Sequence, residues 1–206
     1  MSKSALVLVL ALTASCANLE IPRTDFLADR EALAPSEAHD VTFIPDGVEL
    51  QVTPAATATA WERVIVDPVV WTTIPDSHPD LDGDDRAELI EDFEGYLRDR
   101  FGDRYELVDK AGPATLRVRA SLSDADPQWP LSNVIGLILL MPWDMGGIAG
   151  EVELVDAVSG ERLVAFAAHR DGTPFLIFEA FTRFGQARHG MQKWTKLLVK
   201  LVESEQ

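Results

Sequence analysis

Cysteine is almost absent from this 206-residue chain; there is one, Cys16. A single cysteine excludes an internal disulfide and the paired thiolates of a cysteine-rich zinc site. Histidine is scarce as well: His39, His78, His169 and His189 are the only four. No two of them have the spacing of zinc ligands. Basic residues number 18 against 34 acidic ones, for a formal net charge of −16. Coulomb repulsion then opposes binding to nucleic acid and to bare anionic headgroups. A solvated acidic surface accounts for this charge, and a basic partner is compatible with it. Long apolar runs are missing too. Residues 5–12 and 134–141 are the most apolar stretches, and both fall short of the roughly 20 residues that span a bilayer.

What is present at the start has a definite order. Lys3 supplies a positive charge, and Ala5 to Leu12 form an apolar run. Thr13, Ala14 and Ser15 are small, and Cys16 follows. That order predicts a secretory signal peptide over residues 1–15. Ala14-Ser15-Cys16 resembles the lipobox of bacterial lipoproteins, with Thr13 where leucine is usual. The resemblance implies lipidation of Cys16, which becomes the new N-terminus. Ala17, in place of aspartate, implies sorting to the outer membrane, with the domain on its periplasmic face.

Residues 16–60 read as a lipidated tether and an irregular lead-in. Pro22, Pro35, Pro45 and Pro54 interrupt any long element, and 55–60 alternate only alanine and threonine after Ala55. Phe26, Leu27 and Leu33 are the apolar residues expected to dock this stretch on the domain. Residues 61–203 read as one domain. Arg63 to Trp71 predicts a strand, broken or placed at an edge by Asp67-Pro68. Leu89, Phe93, Leu97 and Phe101 predict a helix over 84–101. Tyr105–Val108 is a short strand, and 115–122 alternates apolar and polar residues as a longer one. Residues 147–155 and 163–169 predict a hairpin around Asp156 and Gly160. Met191, Trp194, Leu198 and Leu201 predict a second helix over 186–202. The expected class is α+β: a mixed or largely antiparallel sheet of about five strands, with two helices on one face.

Candidate chemistry is thin. Asp80, Asp82, Asp84 and Glu91 fall at positions of an EF-hand-like calcium loop. Asp85 stands where that loop needs glycine, and helix capping explains the same carboxylates. No serine sits on a glycine-flanked turn with a histidine partner, and Ser159-Gly160 belongs to the hairpin turn. Gly146-Gly147 precedes a strand, so it does not cradle phosphate at a helix start. The reading is therefore non-enzymatic, with no cofactor. Residues 134–141 lie between Trp129 and Trp143. They read as buried core or, through Leu137, Leu139 and Leu140 with the flanking tryptophans, as a membrane or partner contact. Phe175, Phe178, Phe181 and Phe184 read as core, with a ligand groove as the alternative.

Several segments in order resemble a family of small bacterial lipoproteins known only as a domain of unknown function. They are Phe26-Leu27-Ala28-Asp29, Val66-Asp67-Pro68-Val69, Leu116 to Ala120, Glu151 to Gly160, and a closing helix with Trp194. The resemblance spans about residues 25–202 and implies an outer-membrane lipoprotein without assigned catalytic residues. The expected role is a membrane-tethered accessory that binds an envelope protein or supports an envelope assembly. A carrier of a small ligand or glycan is the alternative, and a hydrolase with an unrecognised site is third.

Overall fold

The computed structural model describes residues 24–28, 34–35, 47–74, 81–127, 147–171 and 182–203. Its centre is the predicted hairpin. Strand β7 (Gly147–Asp156) and strand β8 (Arg162–Asp171) pair antiparallel. Asp156 closes the turn between them: its Oδ1 accepts from the amides of Val158 and Ser159 at 2.7 and 2.8 Å. Gly160 takes the left-handed φ of 74° that the turn requires.

Strand β6 (Thr115–Asp126) pairs antiparallel with β7, with a register shift between Leu122 and Asp124. On the far side of β6 lie β3 (Arg63–Val66) and β4 (Val70–Trp71), both parallel to it. The predicted strand over 63–71 is thus two pieces, and Asp67-Pro68 lies between them. Proline has no N–H for the ladder, so the pairing stops there. Beyond β3, β5 (Glu106–Leu107) adds a short parallel edge.

The sheet is larger than expected. Part of the lead-in joins it: β2 (Val48–Val52) pairs antiparallel with β8, and β1 (Ala34–Pro35) pairs with β2. The result is an eight-stranded mixed sheet in the order β1-β2-β8-β7-β6-β3-β5, with β4 also on β6. Residues 48–52 alternate Val48, Leu50 and Val52 over only five positions. Such a short run becomes a strand when an open edge, here β8, supplies its hydrogen bonds.

Helices α2 (Gly83–Gly102) and α3 (Gly185–Val202) cover one face, and a short α1 (Ala55–Ala58) sits beside α3. Among the described residues three helices therefore stand where two were expected, and the third, α1, is one turn long. Helix α2 starts at a capping box. Asp82 accepts from the Asp85 amide at 2.8 Å, and the Asp85 carboxylate accepts from the Asp82 amide. Its buried stripe is Leu89, Phe93, Leu97 and Phe101. Trp194 of α3 reaches the centre of the core, edge-on to Phe93 at 6.2 Å and to Phe166 at 5.9 Å. Gly150 makes room beneath it: a Cβ there would stand 2.8 Å from the Ser121 carbonyl and 3.4 Å from the Trp194 ring. The two long helices are also joined by charge. Arg188 Nε donates to Asp92 at 2.6 Å and its Nη2 to Glu88, while Arg183 donates to Asp85 at 2.7 Å. Burial acts to lower the Arg188 pKa, but the Asp92 and Glu88 carboxylates raise it more.

Candidate functional site

The face of the sheet away from the helices is not bare. Alternation along β6, β7 and β8 turns Arg117, Arg119, Ser121, Glu151, Glu153, Ala165 and Ala167 toward it. Over β3, β6 and part of β7 this face is ionic. Arg119 pairs with Glu153 at 2.8 Å, and Arg117 with Asp67 at 3.6 Å. Toward its middle the face is buried. Ser121, Ser123 and Glu151 are each 1% exposed, and the Ser121 and Thr72 hydroxyls share a hydrogen bond of 2.6 Å.

Residues 24–28 lie on this face as a strap. Leu27 packs on Ala165 and Ala167, with Phe26 beside it, in a cluster separate from the main core. Both ends are tied. The Thr24 hydroxyl donates to the Glu151 carboxylate, and Arg162 Nη1 donates to the Ala28 carbonyl at 2.7 Å. The Phe26 amide donates to the Thr24 hydroxyl at 3.0 Å, which bends the strap at its start. Alanines at two successive outward positions of β8 leave the shallow seat that a chain can occupy.

The energetics of this seat are finely balanced. Burying Leu27 contributes about 1.5–3 kcal/mol. Each of the two hydrogen bonds to a charged group contributes about 1.5–3 kcal/mol, and the exposed Arg162 bond sits at the low end. Ordering the backbone of five residues costs about 1–2 kcal/mol apiece. The favourable and opposing terms are thus of the same order.

Of the carboxylates at calcium-loop positions, three lie on described residues at or in α2. Asp82 is the cap of α2, while Asp84 and Glu91 are exposed on that helix. Among the described residues no cluster of three His, Cys, Asp or Glu side chains could hold a metal. Asp80 lies outside the described residues, as do Cys16 and the whole of Trp129, Leu137, Leu139, Leu140 and Trp143. Phe175, Phe178 and Phe181 lie outside them too, while Phe184 is buried at the start of α3. The core role expected for Phe184 is the one it has, with the Arg183 guanidinium over its ring at 5.3 Å. Among the described residues no helix is long and apolar enough to cross a membrane.

Phe26 and Leu27 were legible as docking residues, and Leu33, expected with them, lies outside the described residues. Thr24, Glu151 and Arg162 were not, although Ala165 and Ala167 in alternation marked an outward face too small to be ordinary surface. A second feature is a cleft of about 210 Å³ between α2 and α3, lined by Tyr96, Asp99, Arg100, Gln192, Thr195 and Lys196. It is open, and charges of both signs alternate around it. Beside α2's end, burial and then the Glu203 carboxylate push the Tyr105 phenol above its usual pKa.

Residues 22–198 match the family model described as a protein of unknown function, DUF3313. The chain belongs to this family. The DUF3313 match begins two residues before the strap and runs into α3, so strap and sheet fall within one family unit. No curated protein matches the DUF3313 chain. Among solved structures it is similar to the PelC dodecamer from Paraburkholderia phytofirmans, at TM-score 0.45 and 10% identity, covering 77% of this chain and 98% of that one. It is also similar to the hypothetical protein CT253 from Chlamydia trachomatis, at TM-score 0.38 and 12% identity, covering 68% and 97%. A third is XCC0632 from Xanthomonas campestris, at TM-score 0.36 and 12% identity, covering 72% and 86%. These are remote likenesses of shape.

Proposed function

We propose that this DUF3313 protein is a lipid-anchored envelope protein that works without catalysis. In this reading residues 1–15 are removed on export and Cys16 carries acyl chains. The domain is held at the periplasmic face of the outer membrane. There it serves as a binding or assembly accessory for another envelope protein.

The observation that carries the reading is the strap. Thr24 is tied to the sheet eight residues after Cys16. Eight extended residues reach about 28 Å at most. A lipid on Cys16 would therefore keep the outer sheet face close to the bilayer surface rather than leave it on a long leash. Each buried methylene contributes about 0.8 kcal/mol, so two or more acyl chains anchor firmly. The net charge of −16 keeps the domain itself off anionic headgroups, so the lipid must supply the attachment.

The test is metabolic labelling with an alkyne-palmitate, followed by mass spectrometry of the membrane fraction. The expected result is label on Cys16, lost in Cys16→Ser together with membrane association. An unlabelled wild-type chain sinks the anchor reading. Cross-linking of the lipidated protein in intact cells tests the accessory role; recovery of no specific envelope protein removes it.

A further inference from the structure

We infer that the cleft between α2 and α3 is a binding site for a small zwitterion of amino-acid or dipeptide size. The inference goes beyond the anchored-accessory reading and does not need it, because the cleft lies on the helical side of the sheet, opposite the strap.

The seam between the two helices carries the argument. Its first part is closed by charge: Arg183 pairs with Asp85, and Arg188 pairs with Glu88 and Asp92. Its far end is closed as well, where Arg104, just past α2, meets Glu203, just past α3, at 3.3 Å. These pairs advance in step along both helices, so α2 and α3 run side by side in one direction. One turn beyond Asp92 and Arg188 the charges stop, and Tyr96 and Gln192 line the cleft instead. Charge resumes at Asp99 and Lys196, both exposed. Among the described residues no hydrogen bond or ion pair joins those two across the seam. The gap of about 210 Å³ thus lies between two closures made of the same kind of pair.

The chemistry of the lining selects the ligand. Asp99 and Asp103 stand at the C-terminal turn of α2, where the helix dipole also favours positive charge. They suit an ammonium group. Thr195 is 2% exposed, and its hydroxyl donates to the Gln192 carbonyl at 3.0 Å, which leaves its lone pairs to accept. Lys196 and Arg100 suit a carboxylate, with the Gln192 amide as a further donor. Arg100 reaches Asp103 only at 3.8 Å, in an exposed pair that contributes little. Two acids and two bases leave the cleft without net charge. A simple anion would be repelled by the chain's −16, and a simple cation would leave both bases unanswered. A neutral ligand with separated opposite charges answers all four groups. The size agrees: sites for drug-sized ligands run to about 300–1,000 Å³, and this cleft is smaller.

Heteronuclear NMR titration of the full chain in a neutral detergent tests this, with alanyl-alanine as the probe. Acetyl-alanyl-alanine and alanyl-alanine amide, which each lack one charge, are the controls. The expected result is saturable shifts of the Asp99, Gln192 and Lys196 amides, with a Kd on the order of 1 mM. Each control should bind about tenfold more weakly. Asp99→Asn and Lys196→Met, both at exposed positions, should keep the melting temperature. Asp99→Asn should shrink the preference over the acetylated dipeptide, and Lys196→Met the preference over the amide. No shift at about 20 mM alanyl-alanine overturns the site. Equal binding of the three ligands overturns it too, as do variants that bind and discriminate like the wild type.

Discussion

The Thr24 hydroxyl donates to the Glu151 carboxylate across 127 residues of sequence. Glu151 is 1% exposed on the face of the sheet opposite the helices. A carboxylate so placed needs donors, and one of them comes from the segment that leads back to Cys16. The bond thus joins the lead-in to the central strand β7 rather than to an edge.

Removing that hydroxyl should loosen the strap and little else. In Thr24→Ala, the amides of Leu27 and Ala28 are expected to exchange with deuterium about tenfold faster or more, since a hydrogen bond to a charged group contributes about 1.5–3 kcal/mol. Amides of α3 should keep their wild-type protection. Unchanged exchange at Leu27 would show that the hydroxyl does not hold the strap.

The hairpin turn makes a pH prediction. The Ser159 amide, foremost, holds the Asp156 carboxyl below its usual value of 3.8; burial opposes it, and the Val158 amide and the Ser159 side chain add to the lowering. A folded-state pKa lowered in this way contributes stability that is full above the unfolded value and is lost as pH falls through the folded one. Asp156→Asn should therefore lower the melting temperature near neutral pH. The gap to wild type should close in acid, below the usual carboxylate range. A gap that stays constant from neutral pH into strong acid would rule out this role for the charge.

The core prediction concerns Trp194. It is 1% exposed and meets both Phe93 and Phe166 edge-on. Trp194→Ala should cost about 3–5 kcal/mol in urea unfolding. Trp194→Phe, which keeps an aromatic ring in the site, should cost clearly less. Equal losses in the two variants would mean that packing around the ring is not what holds α3 to the sheet.

Much of the architecture was legible because its signals are local. The cap at Asp82, the stripe from Leu89 to Phe101 and the Asp156–Gly160 turn each act within a few residues. The break at Asp67-Pro68 follows from one missing N–H. Strand β2 was hidden inside a proline-rich lead-in, because five alternating residues do not announce a partner. The carboxylates at 82, 84 and 91 were legible as residues but not as a site, because a helix start and a calcium loop draw on the same side chains.

The sequence alone determined the two long helices, the central hairpin and β6, the single cysteine, the apolar run before it and the candidate docking residues Phe26, Leu27 and Leu33. Those are matters of composition, periodicity and turn chemistry, which short segments carry by themselves. Tertiary structure decided which strand each edge received, and that Glu151 and Arg162 hold the strap over Ala165 and Ala167. The reason is physical. Sheet hydrogen bonds are satisfied by whichever backbone arrives alongside, and a carboxylate's partner is whatever donor burial brings to it. Neither choice is written in the residues next door.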